Sequence, residues 1–267
     1  MSRYETMFAD LEARGEGAFG AFVMLGDPDL AASARIIDAL VEAGADMLEV
    51  GIPFSDPVAD GPVIQAAADR ALKQGVRQAD CFALLAEARA RHPDIPIGIL
   101  TYANLVMAHG RDAFYAAAAR ASVDSVLVAD VPALEAEPFA AAARAAGVAP
   151  VLIAAANTPR ATLGRIARLG AGYTYCVARA GVTGARADLA LDHRALLAAL
   201  ADEDAPPPIL GFGLSKPDHV RAALAAGAAG VISGSAIVSF IESDPADAET
   251  LIRAFVATMK AATRPDG

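Results

Sequence analysis

Short apolar runs alternate along the chain with longer stretches in which apolar residues recur at three- or four-residue spacing. The short runs are typical of buried strands, and stretches such as LAASARIIDALVEAGA are typical of amphipathic helices. Several helical stretches end just before the next run in a glycine, at Gly44, Gly147, Gly170 and Gly227, which is a common helix stop. Eight runs are predicted as strands: AFGAFVML (ending at 25), DMLEVGI (46–52), IPIGILT (95–101), DSVLVADV (124–131), APVLIA (149–154), GYTYCVA (172–178), PPILGFG (207–213) and GVISGSA (230–236).

Eight strand–helix repeats predict an α/β fold, a closed parallel (β/α)8 TIM barrel. The chain has 267 residues, and about 250 are typical of such a barrel. An extra N-terminal helix, YETMFADLEARG, precedes the first strand and could close the bottom of the barrel. No linker divides the chain, so residues 1–267 are predicted to form a single domain. An open doubly wound sheet is the alternative, but it normally has a GxGxxG loop after strand one, where this chain has MLGDPDL.

Composition narrows the class of protein. Hydrophobic residues make up 55% of the chain and charged residues 20%, so a large core can be buried. No apolar stretch reaches the roughly 18 residues of a transmembrane helix, and the acidic N-terminus is unlike a signal peptide. We therefore expect a soluble cytoplasmic protein. The net charge of −10 disfavours a nucleic-acid partner, and the wide separation of Cys81 and Cys176 predicts free thiols rather than a disulfide or zinc site.

The segment LEVGIPFSDPVADGPVIQ (48–65) places acids at and beyond the end of the second strand. In a parallel barrel this end carries the active site, and strand alternation points Glu49 and Met47 to one face. Burial would raise the pKa of Glu49, which suits a group that donates and accepts protons, although a buried ion pair is the alternative. Asp60, in the long loop that follows, could converge with Glu49 on one substrate. Asp56 and Asp60 could also be turn residues only.

Glycine-rich turns follow the last three strands: RAGVTGA (179–185), GFGLS (211–215) and SGSA (233–236). Backbone N–H groups in such turns, together with a helix N-terminus after strand eight, bind anions. Phosphate groups commonly bind at this position in the fold, so a phosphate site is predicted despite the acidic net charge. The four histidines lack metal-binding spacing, and no lysine lies within a predicted strand, which disfavours metal and Schiff-base chemistry.

Taken together, these segments resemble the tryptophan synthase α chain family. LEVGIPFSDPVADGPVIQ is similar to its signature segment, and YANLV, DSVLVADVP, GYTYCVARAGVTGA, GFGLS and AGAAGVISGSAIV match in order along nearly the whole chain. The resemblance implies a carbon–carbon lyase of tryptophan biosynthesis that cleaves indole-3-glycerol phosphate to indole and glyceraldehyde 3-phosphate by a retro-aldol reaction. It implies that Glu49 acts on the indole C3 and the glycerol hydroxyl, and that Asp60 accepts from the indole N–H.

The resemblance also implies a substrate pocket. Phosphate would bind the backbone amides of Gly184, Gly213, Gly234 and Ser235, with the Ser235 hydroxyl as a further donor. Thr183 resembles a lid residue that contacts Asp60 on closure. Apolar side chains near the strand ends, for which core packing is the alternative role, would hold the indole: Phe22, Leu100, Leu127, Ala129, Ile153, Tyr175, Phe212 and Ile232.

The implied partner is a pyridoxal-phosphate-dependent tryptophan synthase β chain in an αββα heterotetramer. Asp56, Pro57 and the segment around Pro132 resemble the contact elements, and no metal or organic cofactor is expected in this chain. Two alternatives remain open. One is another phosphate-sugar enzyme on the same barrel, such as an isomerase or a stand-alone indole-releasing lyase. The other is a non-catalytic α chain, which the presence of both Glu49 and Asp60 disfavours.

Overall fold

Eight parallel strands close into a barrel in chain order, in a computed structural model that describes residues 1–177, 193–211 and 213–264. The first strand pairs with both the second and the eighth, which closes the cylinder. This confirms the predicted (β/α)8 barrel and excludes the open sheet. The strands are β1 (Ala18–Met24), β2 (Met47–Gly51), β3 (Ile97–Thr101), β4 (Ser125–Val128), β5 (Ala149–Ala155), β6 (Thr174–Val177), β7 (Pro208–Gly211) and β8 (Gly230–Ser233).

Twelve helices lie among the described residues, and most of them cover the outside of the barrel. Before β3 come α1 (Arg3–Arg14), α2 (Leu30–Glu42), α3 (Pro62–Lys73) and α4 (Gln78–Arg91). Between β3 and β6 come α5 (Ala103–Met107), α6 (Arg111–Arg120), α7 (Glu137–Ala145) and α8 (Arg160–Leu169). The last four are α9 (Arg194–Asp202), α10 (Pro217–Ala225), α11 (Ser235–Ser243) and α12 (Ala248–Ala261).

Alternation along the strands separates two cores. In β2, Leu48 and Val50 pack outward against the helices, whereas Met47 belongs to the core inside the barrel. Side chains of a strand point alternately to its two faces, so Glu49 shares the inner face with Met47, as the sequence predicts. Alternation along β2 therefore places the Glu49 side chain inside the barrel.

The N-terminal helix α1 packs against the interior core. Its side chains Tyr4, Met7 and Leu11 are buried in that core. The Tyr4 hydroxyl lies 2.8 Å from the Ser125 hydroxyl at the start of β4, and the Tyr4 and Tyr173 rings are 5.5 Å apart. A capping box at Ser2 begins the helix, which satisfies free N–H groups of its first turn. The helix thus covers the end of the barrel where the strands begin, as predicted.

A buried ion network joins the C-terminal helix to the same end of the barrel. The Lys260 ammonium of α12 lies 3.0 Å from Glu16 and 2.9 Å from Asp46. The Asp46 carboxylate also accepts the Phe19 N–H at 2.7 Å. Since a buried carboxylate needs a partner to offset its desolvation, Lys260 holds α12, β1 and the start of β2 in place.

The eighth strand is shorter in the structure than the sequence predicts. GVISGSA extends to residue 236, whereas β8 ends at Ser233 and α11 begins at Ser235. The prediction was wrong at this boundary because a short apolar run does not distinguish a strand from the first turn of a buried helix. The difference places a helix N-terminus directly at the strand end.

Candidate active site

A cavity lies at the C-terminal ends of the strands. Strands β1, β2, β3, β6 and β8 contribute to its wall, together with the loops after β2, β7 and β8. Its lining joins two carboxylic acids, apolar and aromatic side chains, and glycine and serine backbone. The lining residues are Phe22, Glu49, Asp60, Ile64, Leu100, Tyr175, Gly213, Ile232, Gly234 and Ser235.

Glu49 is the third of the five residues of β2 and has 1% of its surface exposed. The Tyr173 hydroxyl donates a 2.6 Å hydrogen bond to its carboxyl oxygen. Burial raises the pKa of Glu49 to about 7; the Tyr173 hydrogen bond opposes this shift, and the charge of Asp60 adds to it. Among the described residues, the polar partner of Glu49 is this phenol and not a cation, so the buried ion pair that the sequence left open is not formed there. Glu49 can therefore exchange a proton near neutral pH.

Asp60 lies at the end of the loop of residues 52–61, just before α3. Its backbone is held from both sides, because its N–H donates to Pro57 and the Gln65 side chain donates to its carbonyl at 2.7 Å. Burial raises the pKa of Asp60 to about 6, and a hydrogen bond with the Tyr102 hydroxyl opposes the shift. That hydroxyl also accepts the Ala59 N–H at 3.3 Å. Asp60 is thus both a turn residue and a cavity residue.

The turns after β7 and β8 meet opposite these acids. The buried Ser233 hydroxyl donates a 2.6 Å hydrogen bond to the Leu214 carbonyl, which ties one turn to the other. Gly213 has a φ of 75°, a conformation that favours glycine. The first backbone bond of α11 runs from the Val238 N–H to the Gly234 carbonyl, so the N–H groups before Val238 have no partner within the helix. The start of α11 can therefore bind an anion.

The structure brings together most of the described residues that the sequence assigned to the pocket. Of the apolar set, Phe22, Leu100, Tyr175 and Ile232 line the cavity. Leu127, Ala129 and Ile153 do not line it, but belong to the same interior core. Glu49 and Phe22 are paired in register on β2 and β1, so the acid lies beside an aromatic ring of the pocket. Thr183, Gly184 and Phe212 lie outside the described residues.

Three residues around the cavity were missed by the sequence analysis. Tyr173 contacts Glu49 and Tyr102 contacts Asp60, and Ile64 of α3 lines the wall. The position of Tyr173 could have been predicted, because it lies two residues from Tyr175 and alternation puts both side chains inside the barrel. Nothing in the local pattern of Tyr102 or Ile64 identifies the cavity, since each reaches it from beyond a strand end.

Within residues 1–177, 193–211 and 213–264, no three His, Cys, Asp or Glu side chains come together as a metal-binding group. Cys81 and Cys176 are buried free thiols, as predicted, and burial raises the pKa of each to about 12. None of the helices in the described part of the chain has the length and apolar character that a bilayer crossing requires.

The fold and the site define a class: a barrel enzyme with two acids in a cavity at the C-terminal ends of its strands. The sequence model of the family "Tryptophan synthase alpha chain" matches residues 8–264. The chain belongs to this family. It is therefore an enzyme subunit of tryptophan biosynthesis, the lyase that cleaves indole-3-glycerol phosphate.

Individual relatives support this assignment over the full length. The alpha chain of Shewanella oneidensis is 55% identical over 265 residues, which cover 98% of this chain and 95% of the relative. That of Escherichia fergusonii is 56% identical and covers 99% and 100%. Among solved structures, Mycobacterium tuberculosis tryptophan synthase has a TM-score of 0.89 at 29% identity, covering 99% of both chains. A tryptophan synthase complex of Pyrococcus furiosus has a TM-score of 0.85 at 36% identity and covers 92% of this chain and 98% of the other.

Proposed function

We propose that Glu49 and Asp60 together carry out the cleavage of indole-3-glycerol phosphate, with Glu49 protonated and Asp60 ionised at the start. Glu49 gives its proton to the indole C3, and the positive charge that develops on the ring N–H is balanced by the Asp60 carboxylate. The Glu49 carboxylate then takes the proton of the glycerol hydroxyl next to the ring. The oxygen forms a carbonyl, the carbon–carbon bond breaks, and its electron pair restores the aromatic indole.

The two proton transfers of this reaction return the enzyme to its starting protonation state. Indole C3 gains one proton from Glu49, and Glu49 regains one from the hydroxyl, so both acids return to their starting states. The observation that carries the proposal is that a buried acid with a pKa of about 7 and one with a pKa of about 6 line the same cavity. Between these two values Glu49 retains its proton while Asp60 is ionised.

The two ends of the substrate fit the two ends of the cavity. We assign the phosphate to the backbone N–H groups of Gly213, Gly234 and Ser235, with the Ser235 hydroxyl as a further donor. Gly234 and Ser235 lie at the start of α11, which supports this assignment because a helix N-terminus favours anions; Gly213 lines the same cavity from the turn after β7. The apolar wall would hold the indole ring. Gly184, Thr183 as a lid residue, and Phe212 complete the proposed site as the family resemblance implies.

A Glu49→Gln variant tests the proposal. Glutamine keeps the shape and can still accept the Tyr173 hydrogen bond, but it can neither donate nor accept the catalytic proton. We expect indole release to fall by at least ~100-fold, while binding of glycerol 3-phosphate stays within about two-fold of wild type. Glu87→Gln, at an exposed position, is the matched control. Appreciable cleavage by Glu49→Gln would contradict the assigned roles.

We also propose that this chain pairs with a pyridoxal-phosphate-dependent β chain in an αββα heterotetramer. The similar structure from Pyrococcus furiosus concerns mutual activation of the tryptophan synthase a2b2 complex of that organism. Three large apolar side chains are exposed in segments that follow neighbouring strands: Val58 after β2, Met107 after β3 and Leu134 after β4. Val58 lies next to Asp56 and Pro57 in the sequence, and Leu134 lies next to Pro132. This supports a docking surface on this side of the cavity mouth.

We infer that this assembly is cytoplasmic. The inference is supported by the two cysteines of the chain, which are both free, because a reducing compartment preserves thiols. The pyridoxal phosphate would belong to the β chain, and the residues of this chain need no organic cofactor for the proton transfers proposed above.

A further inference from the structure

Arg70 on α3 connects three segments around the cavity. Its guanidinium donates two hydrogen bonds to the Asp27 carboxylate, at 2.7 and 2.8 Å. Asp27, in the loop after β1, has 1% of its surface exposed. A third guanidinium nitrogen lies 3.4 Å from the Glu242 carboxylate on α11. The pairing with Asp27 is therefore two-pronged and largely shielded from water, and the contact with Glu242 is longer and half-exposed.

Each of these three segments carries a different part of the proposed site. Asp60 lies two residues before Pro62, where α3 begins, and α11 begins at Ser235. The loop with Asp27 follows β1, which carries Phe22. Helices α3 and α11 also pack on each other and against β1. The separation between Asp60 and the anion-binding start of α11 therefore depends on how these two helices are held together.

The contact between Arg70 and Asp27 can fix the relative position of the segments that carry the two residues. A two-pronged guanidinium–carboxylate contact fixes orientation as well as distance, which a lysine ammonium cannot reproduce. Burial raises the pKa of Asp27, and Arg70 opposes this shift. Removal of the arginine would leave the buried carboxyl group without its partner, so the loop after β1 would have to move or the carboxyl group would have to take up a proton.

We propose that Arg70 is a positioning residue that sets the distance between the carboxylate of Asp60 and the backbone N–H groups at the start of α11. This rests on the proposed function, in which one substrate spans the two positions. A ligand that joins two binding groups gains affinity over its separate parts only when both subsites lie at the matching separation. Loss of the correct separation should therefore weaken ligands that span the cavity and spare ligands that occupy one end.

The test compares three ligands on wild type and on Arg70→Met. Glycerol 3-phosphate occupies the anion end, indole occupies the apolar end, and indole-3-propyl phosphate spans both. Dissociation constants are measured by calorimetry. We expect Arg70→Met to bind the two short ligands within about two-fold of wild type and the spanning ligand ~10-fold more weakly. Equal weakening of all three ligands, or no weakening, would overturn the positioning role.

Three further variants keep the test decisive. Arg35→Met removes an exposed arginine that pairs with Glu249 at 2.7 Å, and it should leave all three constants unchanged. Arg70→Lys retains the charge without the two-pronged contact and should resemble Arg70→Met, whereas full recovery with lysine would contradict the inference. Asp27→Asn should give the same selective loss at smaller size, and it replaces Arg70→Met if that variant fails to fold.

The wild-type measurements separate this inference from the proposed function. Wild-type protein that binds none of the three ligands would contradict the proposed function and this inference together. Wild-type binding of all three ligands, with uniform loss in Arg70→Met, would contradict this inference alone.

Discussion

At Glu49, the surroundings favour the protonated acid while keeping it able to ionise. Burial raises its pKa, and the 2.6 Å hydrogen bond from Tyr173 stabilises the carboxylate in the opposite direction. The balance falls at about 7, near the value that a group needs in order both to give and to take a proton. Asp60 has the lower pKa, about 6. Between the two pKa values Asp60 is ionised while Glu49 is protonated, as the proposed roles require.

This difference predicts a pH dependence. Below about pH 6 Asp60 gains a proton and loses its role as acceptor, and above about pH 7 Glu49 loses the proton that it must donate. We therefore expect kcat/KM to be bell-shaped, with its maximum between these values. The substrate phosphate also titrates near pH 6, so the acidic limb of the logarithmic plot should have a slope near two.

Asp60→Asn isolates the contribution of Asp60. The acidic limb should fall to a slope near one, because only the substrate phosphate still titrates there. The alkaline limb should move to lower pH, because the charge that raises the pKa of Glu49 is gone. The measurement is kcat/KM from pH 5 to 9 for both proteins. An unchanged profile would contradict the role assigned to Asp60.

Sequence could identify Glu49 and Asp60 because each is unusual in its place. Glu49 interrupts an apolar strand, and Asp60 ends a long loop at the working end of the barrel. It could not identify Tyr102, whose contact with Asp60 depends on how the segments after β2 and β3 fold over the cavity. Contacts of this kind arise from tertiary packing and leave no periodic signal in the chain.

At the scale of elements, three consecutive segments together position the two acids: β2, the loop of residues 52–61 and α3. The strand orients Glu49, the loop delivers Asp60, and the helix holds the loop through the bond from Gln65 to the Asp60 carbonyl. Strand positions could be predicted because apolar runs bounded by glycine and proline are distinctive. The ends of β4 and β8 could not be predicted: DSVLVADV runs three residues past Val128, and Ser235 begins a helix whose first turn is as apolar as the strand.

The ion network at the opposite end of the barrel should contribute to stability. Lys260→Met leaves Glu16 and Asp46 without the ammonium that lies 3.0 and 2.9 Å from them. Glu16 keeps Arg14 and Arg264 as partners, but the buried Asp46 carboxylate loses its cation, so we expect the free energy of unfolding to fall by about 3 kcal/mol. Lys73→Met removes an exposed pair with Asp69 and should cost about 0.5 kcal/mol. Urea unfolding measures both, and equal effects would contradict a stabilising role for the network.

At the scale of the whole molecule, the cavity mouth lies on the side where apolar side chains are exposed. Val58, after β2, is 71% exposed and Leu134, after β4, is 64% exposed, so both side chains can contact a partner. The fold as a closed barrel could be predicted from the eight repeats, and the contact segments from the family resemblance. The exposure of Val58 and Leu134 could not be predicted, because exposure depends on how the loops fold. That residues 1–267 form a single domain stays a prediction.

The proposed docking surface predicts the effect of a charge placed on it. Leu134→Asp should weaken association with the β chain by at least ~10-fold, because a carboxylate would be desolvated in the interface. Indole release by the separate chain should not change, since Leu134 does not line the cavity. Analytical ultracentrifugation measures the association. Leu30→Asp changes an apolar residue, 37% exposed, at the start of α2 and serves as the control, and equal loss in both variants would contradict the location of the surface.

The most direct measurement is the initial rate of indole release from indole-3-glycerol phosphate by the purified chain, alone and with a saturating β chain. We predict release by the chain alone and a severalfold faster rate with the β chain, because contact with the segment around Asp56 and Pro57 would stabilise the position of Asp60. Absence of indole in both conditions would contradict the account, since it would mean that the two acids facing the start of α11 do not cleave this substrate.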